Sequence, residues 1–370
     1  MYIHLRKDWP QFNWDYEQIA ALLSEVSNLQ GRLLGQMEGL GFDLQNEAVL
    51  ETVTLDIIKN HEIEGELLNN SQVKSSIARK LGFDFDTDVE PSRYVDRVVE
   101  MMLDATQNYK KQLIADRLFG WHAALFPTGR SGIHKITVGD WRKEGQGPMQ
   151  VVSGAMGKER VHFEAPSSNR MEKEMKAFLD WFNEETALNS ILKAAIAHLW
   201  FITIHPFDDG NGRITRAITD MQLARSDQNS RRFYSMSAQI LLERKGYYQI
   251  LEKTQKGFLD ITDWIVWFLN CLKNAILSST FILETVLTKA KFWRKHQQTP
   301  LNDRQRKMIN KLFDGFKGKL FTSKWAKMCK CSKDTALRDI QDLEQKGILQ
   351  KEAGGGRNTS YSMVSSSIVV

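Results

Sequence analysis

The stretch His205-Pro206-Phe207-Asp208-Asp209-Gly210-Asn211-Gly212-Arg213-Ile214-Thr215-Arg216 decides how this 370-residue chain is interpreted. Its pattern predicts the end of one helix, a short loop and the start of another helix. Gly210 and Gly212 let the backbone curl, so that successive N–H groups can converge into a nest for an anion. The N-terminal end of the following helix adds its positive dipole to that nest. The stretch therefore predicts an anion-binding loop.

The charged residues of the stretch narrow the kind of anion. Arg213 and Arg216 are three residues apart and share one face of the second helix. Two guanidinium groups beside a backbone nest suit a polyphosphate. Asp209 offers a hard oxygen ligand for Mg²⁺. A neutral His205 at the start of the loop can accept a proton from an attacking hydroxyl. Together these residues indicate phosphoryl or nucleotidyl chemistry.

Other loop types do not fit the spacing. No Gly-Lys-Ser/Thr follows, so the stretch is not a P-loop. The twelfth residue from Asp208 is Thr219 instead of Glu, which excludes an EF-hand loop. A plain turn with solvated arginines accounts for any four of the residues but poorly for all twelve.

His205–Arg216 resembles the signature of Fic-domain proteins, His-Pro-Phe-x-Asp/Glu-Gly-Asn-Gly-Arg-x-x-Arg, with every defined position matched. The resemblance covers about residues 100–290 and includes the flanking segments Ala194–Phe201, Tyr247–Leu251 and Asp260–Trp264. It implies transfer of AMP from ATP to a Ser, Thr or Tyr hydroxyl of an unidentified target protein, with Mg²⁺ as cofactor.

The family's site residues carry over by motif position. His205 would be the general base, Asp209 the Mg²⁺ ligand and Phe207 an apolar anchor of the loop. Arg213 would clamp the β/γ region of the nucleotide and Arg216 the γ-phosphate. Gln255 stands where many relatives carry Asn. The implied nucleotide-binding set is Phe207, Asp208, Asp209, Gly210, Asn211, Gly212, Arg213, Arg216, Tyr248 (near the adenine) and Gln255.

A β-hairpin is predicted before the motif, because apolar and polar residues alternate around 150–152 and 160–163 with glycines between. The resemblance places this hairpin at the family's flap, which positions the target segment. The flap residues are Gln150, Val151, Val152 and Ser153.

The resemblance also implies a built-in brake near the N-terminus. Many Fic proteins carry an inhibitory helix with Ser/Thr-x-x-x-Glu-Gly/Asn, and here Asn60, Glu64 and Gly65 take those positions, with Asn replacing Ser/Thr. Glu64 would pair with Arg216 and take it from the γ-phosphate. The alternative is that Glu64 merely ends a helix before Gly65.

The C-terminal part differs in charge from the rest. Residues 302–363 hold 14 Lys/Arg against 7 Asp/Glu, whereas the remainder holds 36 against 38. A short helix, a turn and a second helix capped by Ser332 are predicted over 322–346, followed by a strand and a glycine-rich wing. This looks like a winged helix, with Lys333, Thr335, Arg338 and Arg357 as DNA contacts. The alternative is a winged helix that binds a partner protein or a second copy of the chain.

The fold class expected is mainly α: an all-helical Fic core with a hairpin flap, a helical N-terminal region and a C-terminal winged helix-turn-helix. The expected domains are residues 1–92, 93–296 and 301–364. An alternative function is a DNA-binding regulator that uses the Fic fold as a nucleotide sensor. Another is removal of AMP from the target, with Glu64 aligning a water.

The cellular location is predicted from the cysteines, the N-terminal residues and the apolar stretches of the sequence. Three cysteines, Cys271, Cys329 and Cys331, make no disulfide framework, and the last two lack the further ligands that zinc needs. The N-terminus does not read as a signal peptide, and the central apolar stretch Ala194–Ile204 is too short to span a membrane. These features favour a cytoplasmic protein without a membrane partner; a homodimer is a further expectation.

Overall fold

The computed structural model describes residues 1–83, 89–144, 147–154, 158, 160–313, 316, 318–352 and 359–364. The chain forms two compact units, Met1–Thr280 and Phe281–Val370. The predicted region 1–92 and most of the predicted region 93–296 thus share one unit. The second unit begins at Phe281 rather than at residue 301, because Phe292 belongs to the same apolar core as Met308 and Trp325.

The first unit is built from helices, and the prediction of a mainly α fold is confirmed. In chain order the helices are α1 (Tyr16–Glu38), α2 (Phe42–Ile63), α3 (Asn70–Leu81), α4 (Arg93–Gln107), α5 (Ala115–Leu125), α6 (Met171–Asn183), α7 (Ser190–Ile204), α8 (Asn211–Asp227), α9 (Met236–Leu242), α10 (Arg244–Gln255) and α11 (Thr262–Lys295), with short 3₁₀ turns at Ile3–Leu5 and Ser168–Arg170.

Two hairpins accompany these helices. The first, unpredicted, pairs β1 (Arg130–Ser131) with β2 (His134–Lys135). The second pairs β3 (Gln150–Ser153) antiparallel with β4 (Arg160–Glu164) and is the predicted flap hairpin, with an irregularity between Val151 and Val152.

The core of the first unit is centred on α7, which is buried from Ile191 to Ile204 and packs along α8. Helix α2 packs against α3 and α9, and α4 against α8. Packing of α2 is tight enough that Asn60 and His61 near its end are fully buried. This arrangement brings the end of α2 beside the start of α8.

Helix α11 is long and apolar enough to cross a membrane by length and composition. The core helix of a folded unit meets the same criterion. Trp264, Ile265 and Phe268 of α11 are fully buried in the first unit, which is the environment of such a core helix.

The second unit combines short helices with a small sheet. Its elements are α12 (Asp303–Phe313), β5 (Leu320–Phe321), α13 (Thr322–Met328), α14 (Lys333–Gln345), β6 (Leu349–Lys351) and β7 (Ser360–Met363). The antiparallel sheet has the order β5-β7-β6. Ser332 caps α14 by accepting from the Thr335 N–H at 3.1 Å. Cys329 and Cys331 pack against the core, and the predicted wing, with Arg357, lies outside the described residues.

Candidate functional site

The motif loop joins the end of α7 to the start of α8 through two left-handed residues. His205 ends α7 with a φ of 53°, and Gly210 precedes α8 with a φ of 80°. A Cβ at Gly210 would lie 2.8 Å from the Phe126 ring. Glycine is therefore required there both for its backbone conformation and for the close approach of Phe126.

The loop is fixed by its own side chains. The Asn211 amide donates to the Phe207 carbonyl at 2.8 Å, and its oxygen accepts from the Phe207 N–H at 2.9 Å. The buried Phe207 ring stacks on His122 at 4.3 Å, and His122 Nε2 donates to the Asp209 carbonyl at 3.1 Å. The Asn211 side-chain amide is thus engaged with the loop backbone.

His205 has the geometry of a general base. Its Nδ1 lies 3.2 Å from the Ile202 carbonyl, which can only accept, so Nδ1 carries the proton and Nε2 has the free lone pair. Burial lowers the pKa of His205 to about 4. The imidazole is therefore neutral at pH 7 and able to take a proton. Arg142 steadies it by donating from Nε to the His205 carbonyl at 2.7 Å.

The buried guanidinium of Arg216 is held by the end of α2. Its Nε donates to Asn60 Oδ1 at 2.5 Å, and its Nη2 donates to Glu64 Oε1 at 2.7 Å and to the Asn60 carbonyl at 3.0 Å. Burial acts to lower the Arg216 pKa, but Glu64, Tyr247 and Tyr248 together outweigh it and the pKa is raised. The structure thus brings together Asn60, Glu64 and Arg216 across more than 150 residues of sequence.

Gly65 and Gly212 permit this approach. Gly65 has a φ of 82° and ends α2, so the helix-end interpretation and the Arg216 pair hold together. A Cβ at Gly212, in the first turn of α8, would collide with Glu64 Oε1. The Glu64 carboxylate therefore lies against the helix start where the sequence predicts a phosphate.

Asp209 is the residue implied as Mg²⁺ ligand. Its side chain is 44% exposed and accepts from Ser131 Oγ and, at 2.5 Å, from the Gly210 N–H. Within the described residues, no three His, Cys, Asp or Glu side chains group as a ready-made metal cage. One accessible carboxylate fits Mg²⁺, which commonly takes its other ligands from phosphates and water. Asp208 instead accepts from the Thr137 N–H at 2.7 Å and holds the loop.

Helix α10 supplies the remaining predicted nucleotide-site residues. Tyr248 is 40% exposed, and burial of its hydroxyl and the nearby Glu64 raise its pKa. Gln255 is buried and donates to Thr203 Oγ1 at 3.2 Å, so its amide is occupied within the core. Tyr248 is thus placed at the site, whereas Gln255 supports α7 beneath it.

The flap hairpin is tied to α10 by Glu252. This carboxylate accepts from His162 Nδ1 at 2.7 Å and from Arg160 Nη2 at 3.0 Å. Ser153 on β3 lies 2.6 Å from His162 Nε2. Hydrogen bonds from Lys256 and His162 lower the Glu252 pKa to about 2. The predicted flap residues are therefore attached to the helix that carries Tyr248.

Sequence reasoning missed Arg142, His122, Glu252 and Glu66. All act through contacts with residues distant in the sequence, as when Glu66 accepts from Arg213 Nη1 at 2.9 Å. The only local signal for Glu66 was that it is an acidic residue two positions after Glu64.

In the second unit, Lys333 and Arg338 are exposed on α14 and Thr335 is half-buried.

Two family models match parts of this chain. Residues 112–223 match the model of the Fic/DOC family, and residues 2–83 match a domain of unknown function, DUF4172. For residues 112–223, this match confirms the resemblance inferred from the motif.

Individual relatives are similar over parts of their length. A protein adenylyltransferase Fic of Nematostella vectensis is 32% identical over 122 residues, which are 32% of this chain and 27% of the relative. Protein adenylyltransferase fic-1 of Caenorhabditis elegans is 38% identical over 66 residues, 17% of this chain and 13% of the relative. The matches thus span about a quarter or less of these curated relatives.

Solved structures show the same fold. A Fic family protein of Desulfovibrio desulfuricans G20 aligns with a TM-score of 0.52 and 20% identity, over 94% of this chain and 95% of that one. A Fic domain-containing signaling protein of Bacteroides thetaiotaomicron VPI-5482 aligns with a TM-score of 0.50 and 21% identity, over 73% and 96%.

Proposed function

We propose that this chain transfers AMP from ATP to a Ser, Thr or Tyr hydroxyl of a target protein, and that Glu64 restrains the reaction by holding Arg216. The observation that carries the proposal is a neutral His205 on the same loop and helix as an Arg216 that already binds a carboxylate at 2.7 Å. The names of the relatives support the reaction class.

The proposed chemical step follows from which atoms of the loop carry protons. The target hydroxyl oxygen attacks the α-phosphorus of ATP, the bond to the β-phosphate oxygen breaks, and pyrophosphate leaves. The hydroxyl proton passes to His205 Nε2, since Nδ1 is already protonated. Mg²⁺, when bound at Asp209, would neutralise phosphate charge. Backbone N–H groups at the start of α8 and the two arginines would hold the phosphates.

The restraint is a competition for one guanidinium. Arg216 is 2% exposed and cannot turn to a second partner while it binds Asn60 and Glu64. A γ-phosphate must displace Glu64 to reach it. A charge-assisted hydrogen bond contributes roughly 1.5–3 kcal/mol, which corresponds to about 10- to 100-fold weaker productive ATP binding. Partial exposure of Glu64 places the effect toward the lower end of that range.

The proposal is tested by incorporation of label from α-labelled ATP into the protein itself and into candidate targets. Glu64→Gly is expected to incorporate more label than wild type, and adding Arg216→Ala should remove the gain. Glu62→Gln is the matched control, because Glu62 lies on the same helix end but pairs with Lys59 at 2.6 Å. Absence of label in every variant would overturn the transfer reaction.

A further inference from the structure

Glu66 contacts the other motif arginine. Arg213 Nη1 donates to Glu66 Oε2 at 2.9 Å. We propose that Glu66 is a second restraining carboxylate, which competes with the phosphate chain of a nucleoside triphosphate for Arg213. This inference rests on the proposed function and extends it, because each motif arginine then has its own carboxylate from the turn after α2.

The turn after α2 places both carboxylates at once. The Glu64 and Glu66 N–H groups both donate to the His61 carbonyl at 3.0 Å, and the Gly65 N–H donates to the Glu62 carbonyl at 3.0 Å. Gly65, with a φ of 82°, reverses the chain between the two acids. Because these bonds fix the turn, Glu64 and Glu66 reach Arg216 and Arg213 from one rigid segment.

Arg213 is an unusual partner because it is nearly enclosed. Its side chain is 7% exposed and its guanidinium lies 5.0 Å from the centre of the Phe126 ring. Its Nε is buried and has no hydrogen-bond partner among the described residues. A buried donor without a partner is costly, and a phosphate oxygen could satisfy it. Glu66 uses only Nη1, so a phosphate that displaced it could make an additional bond.

Glu66 differs from Glu64 in strength. Its side chain is 36% exposed, and water therefore screens its attraction to Arg213. Burial and the neighbouring Glu66 raise the Tyr94 pKa, so the Tyr94 hydroxyl near this carboxylate stays protonated. We expect removal of Glu66 to have the smaller effect, and to show fully only when Arg216 is already free.

The test measures binding of α,β-methylene-ATP with Mg²⁺ by calorimetry, since this analogue cannot transfer AMP. Glu64→Gly/Glu66→Gln is expected to bind about 3- to 10-fold more tightly than Glu64→Gly. Glu62→Gln in the Glu64→Gly background controls for loss of a nearby negative charge and should leave affinity unchanged.

Equal affinity of Glu64→Gly and its Glu66→Gln derivative, with both folded by circular dichroism, would overturn the role of Glu66. An equal gain in the Glu62→Gln control would also overturn it, because the effect would then be general charge. Tighter binding without any AMP transfer would instead contradict the proposed reaction and leave the Glu66 competition standing.

Discussion

The two units of the chain present their cations in opposite ways. In the first unit, Arg213 and Arg216 are buried, and each pairs with a carboxylate 147 or 152 residues away in sequence. In the second unit, Lys333 and Arg338 lie exposed on one helix. A buried pair depends on the whole tertiary fold and resists salt, whereas exposed cations depend only on a helix face and are screened.

This difference in burial distinguishes a site suited to chemistry from a surface suited to recognition of a partner. A buried, pre-paired arginine has to exchange one anion for another, which suits a regulated nucleotide site. Exposed cations on a helix bring no such selectivity and suit an extended anionic partner such as DNA. Variants in each unit should show whether the first unit alone carries the reaction and whether the second acts only as a charged surface.

The largest expected effect is at the general base. His205→Ala in the Glu64→Gly background should lower the rate of AMP transfer about 10²- to 10⁴-fold, because the other loop acids have other roles: Asp208 accepts from the Thr137 N–H and Asp209 is the proposed Mg²⁺ ligand. The measurement is single-turnover transfer from α-labelled ATP. Binding of α,β-methylene-ATP should be retained, which separates lost chemistry from lost binding. Unchanged transfer would show that another group is the base.

A smaller effect is expected in the second unit, where we propose a DNA-binding winged helix. Affinity for duplex DNA should fall about 10- to 100-fold between 50 and 200 mM salt, since Lys and Arg release counterions from phosphates. Lys333→Ala/Arg338→Ala should weaken binding and flatten this salt dependence. A shift assay at several salt concentrations measures both. No binding at low salt would favour a partner-protein surface.

Asn60 provides a further test of how the buried Arg216 is held in the first unit. Asn60→Ala should raise basal AMP transfer about 3- to 10-fold, because Arg216 Nε loses its partner at 2.5 Å and Glu64 loses a neighbour that orients the guanidinium. The variant should also unfold at a lower temperature, since a buried donor is left unpaired. Asn60→Ser, which restores a hydroxyl acceptor, serves as the milder comparison. Wild-type basal transfer in Asn60→Ala would contradict this role.

The smallest effect concerns pH. A base with a pKa of about 4 is already neutral well below pH 7. Its contribution to catalysis is therefore present at pH values above about 4 and is lost as the pH falls toward 4. We expect kcat/KM of Glu64→Gly to be nearly flat from pH 5.5 to 8. A rise through pH 6.5 would mean that His205 titrates as an ordinary, solvated imidazole.

The sequence was most informative where function depends on local spacing. The motif placed His205, Asp209 and both arginines on one loop and helix, and the alternation around β3 and β4 predicted the flap. The mainly α fold followed from the resemblance to Fic-domain proteins. The winged-helix interpretation of the second unit stays a prediction.

Roles that depend on distant partners could not be read from the sequence. Asn211 follows a glycine in a phosphate-type loop, yet its amide is used by the Phe207 backbone. Gln255 lies on the expected helix, yet it is buried against Thr203. Glu66 and Arg142 become meaningful only once α2 and the 140–142 segment pack beside the motif. The local sequence shows which side chains the motif contains. Tertiary packing decides which of their polar atoms remain free to bind a ligand.

Our central claim is that the Glu64 carboxylate occupies the place at Arg216 that the γ-phosphate of ATP would take. It is tested most directly by comparing binding of α,β-methylene-ATP and of AMP to wild type and Glu64→Gly, with Glu62→Gln as control. The account predicts that Glu64→Gly gains about 10- to 100-fold for the triphosphate, toward the lower end, and little for AMP. Equal gains for both nucleotides, or no gain for the triphosphate, would contradict it.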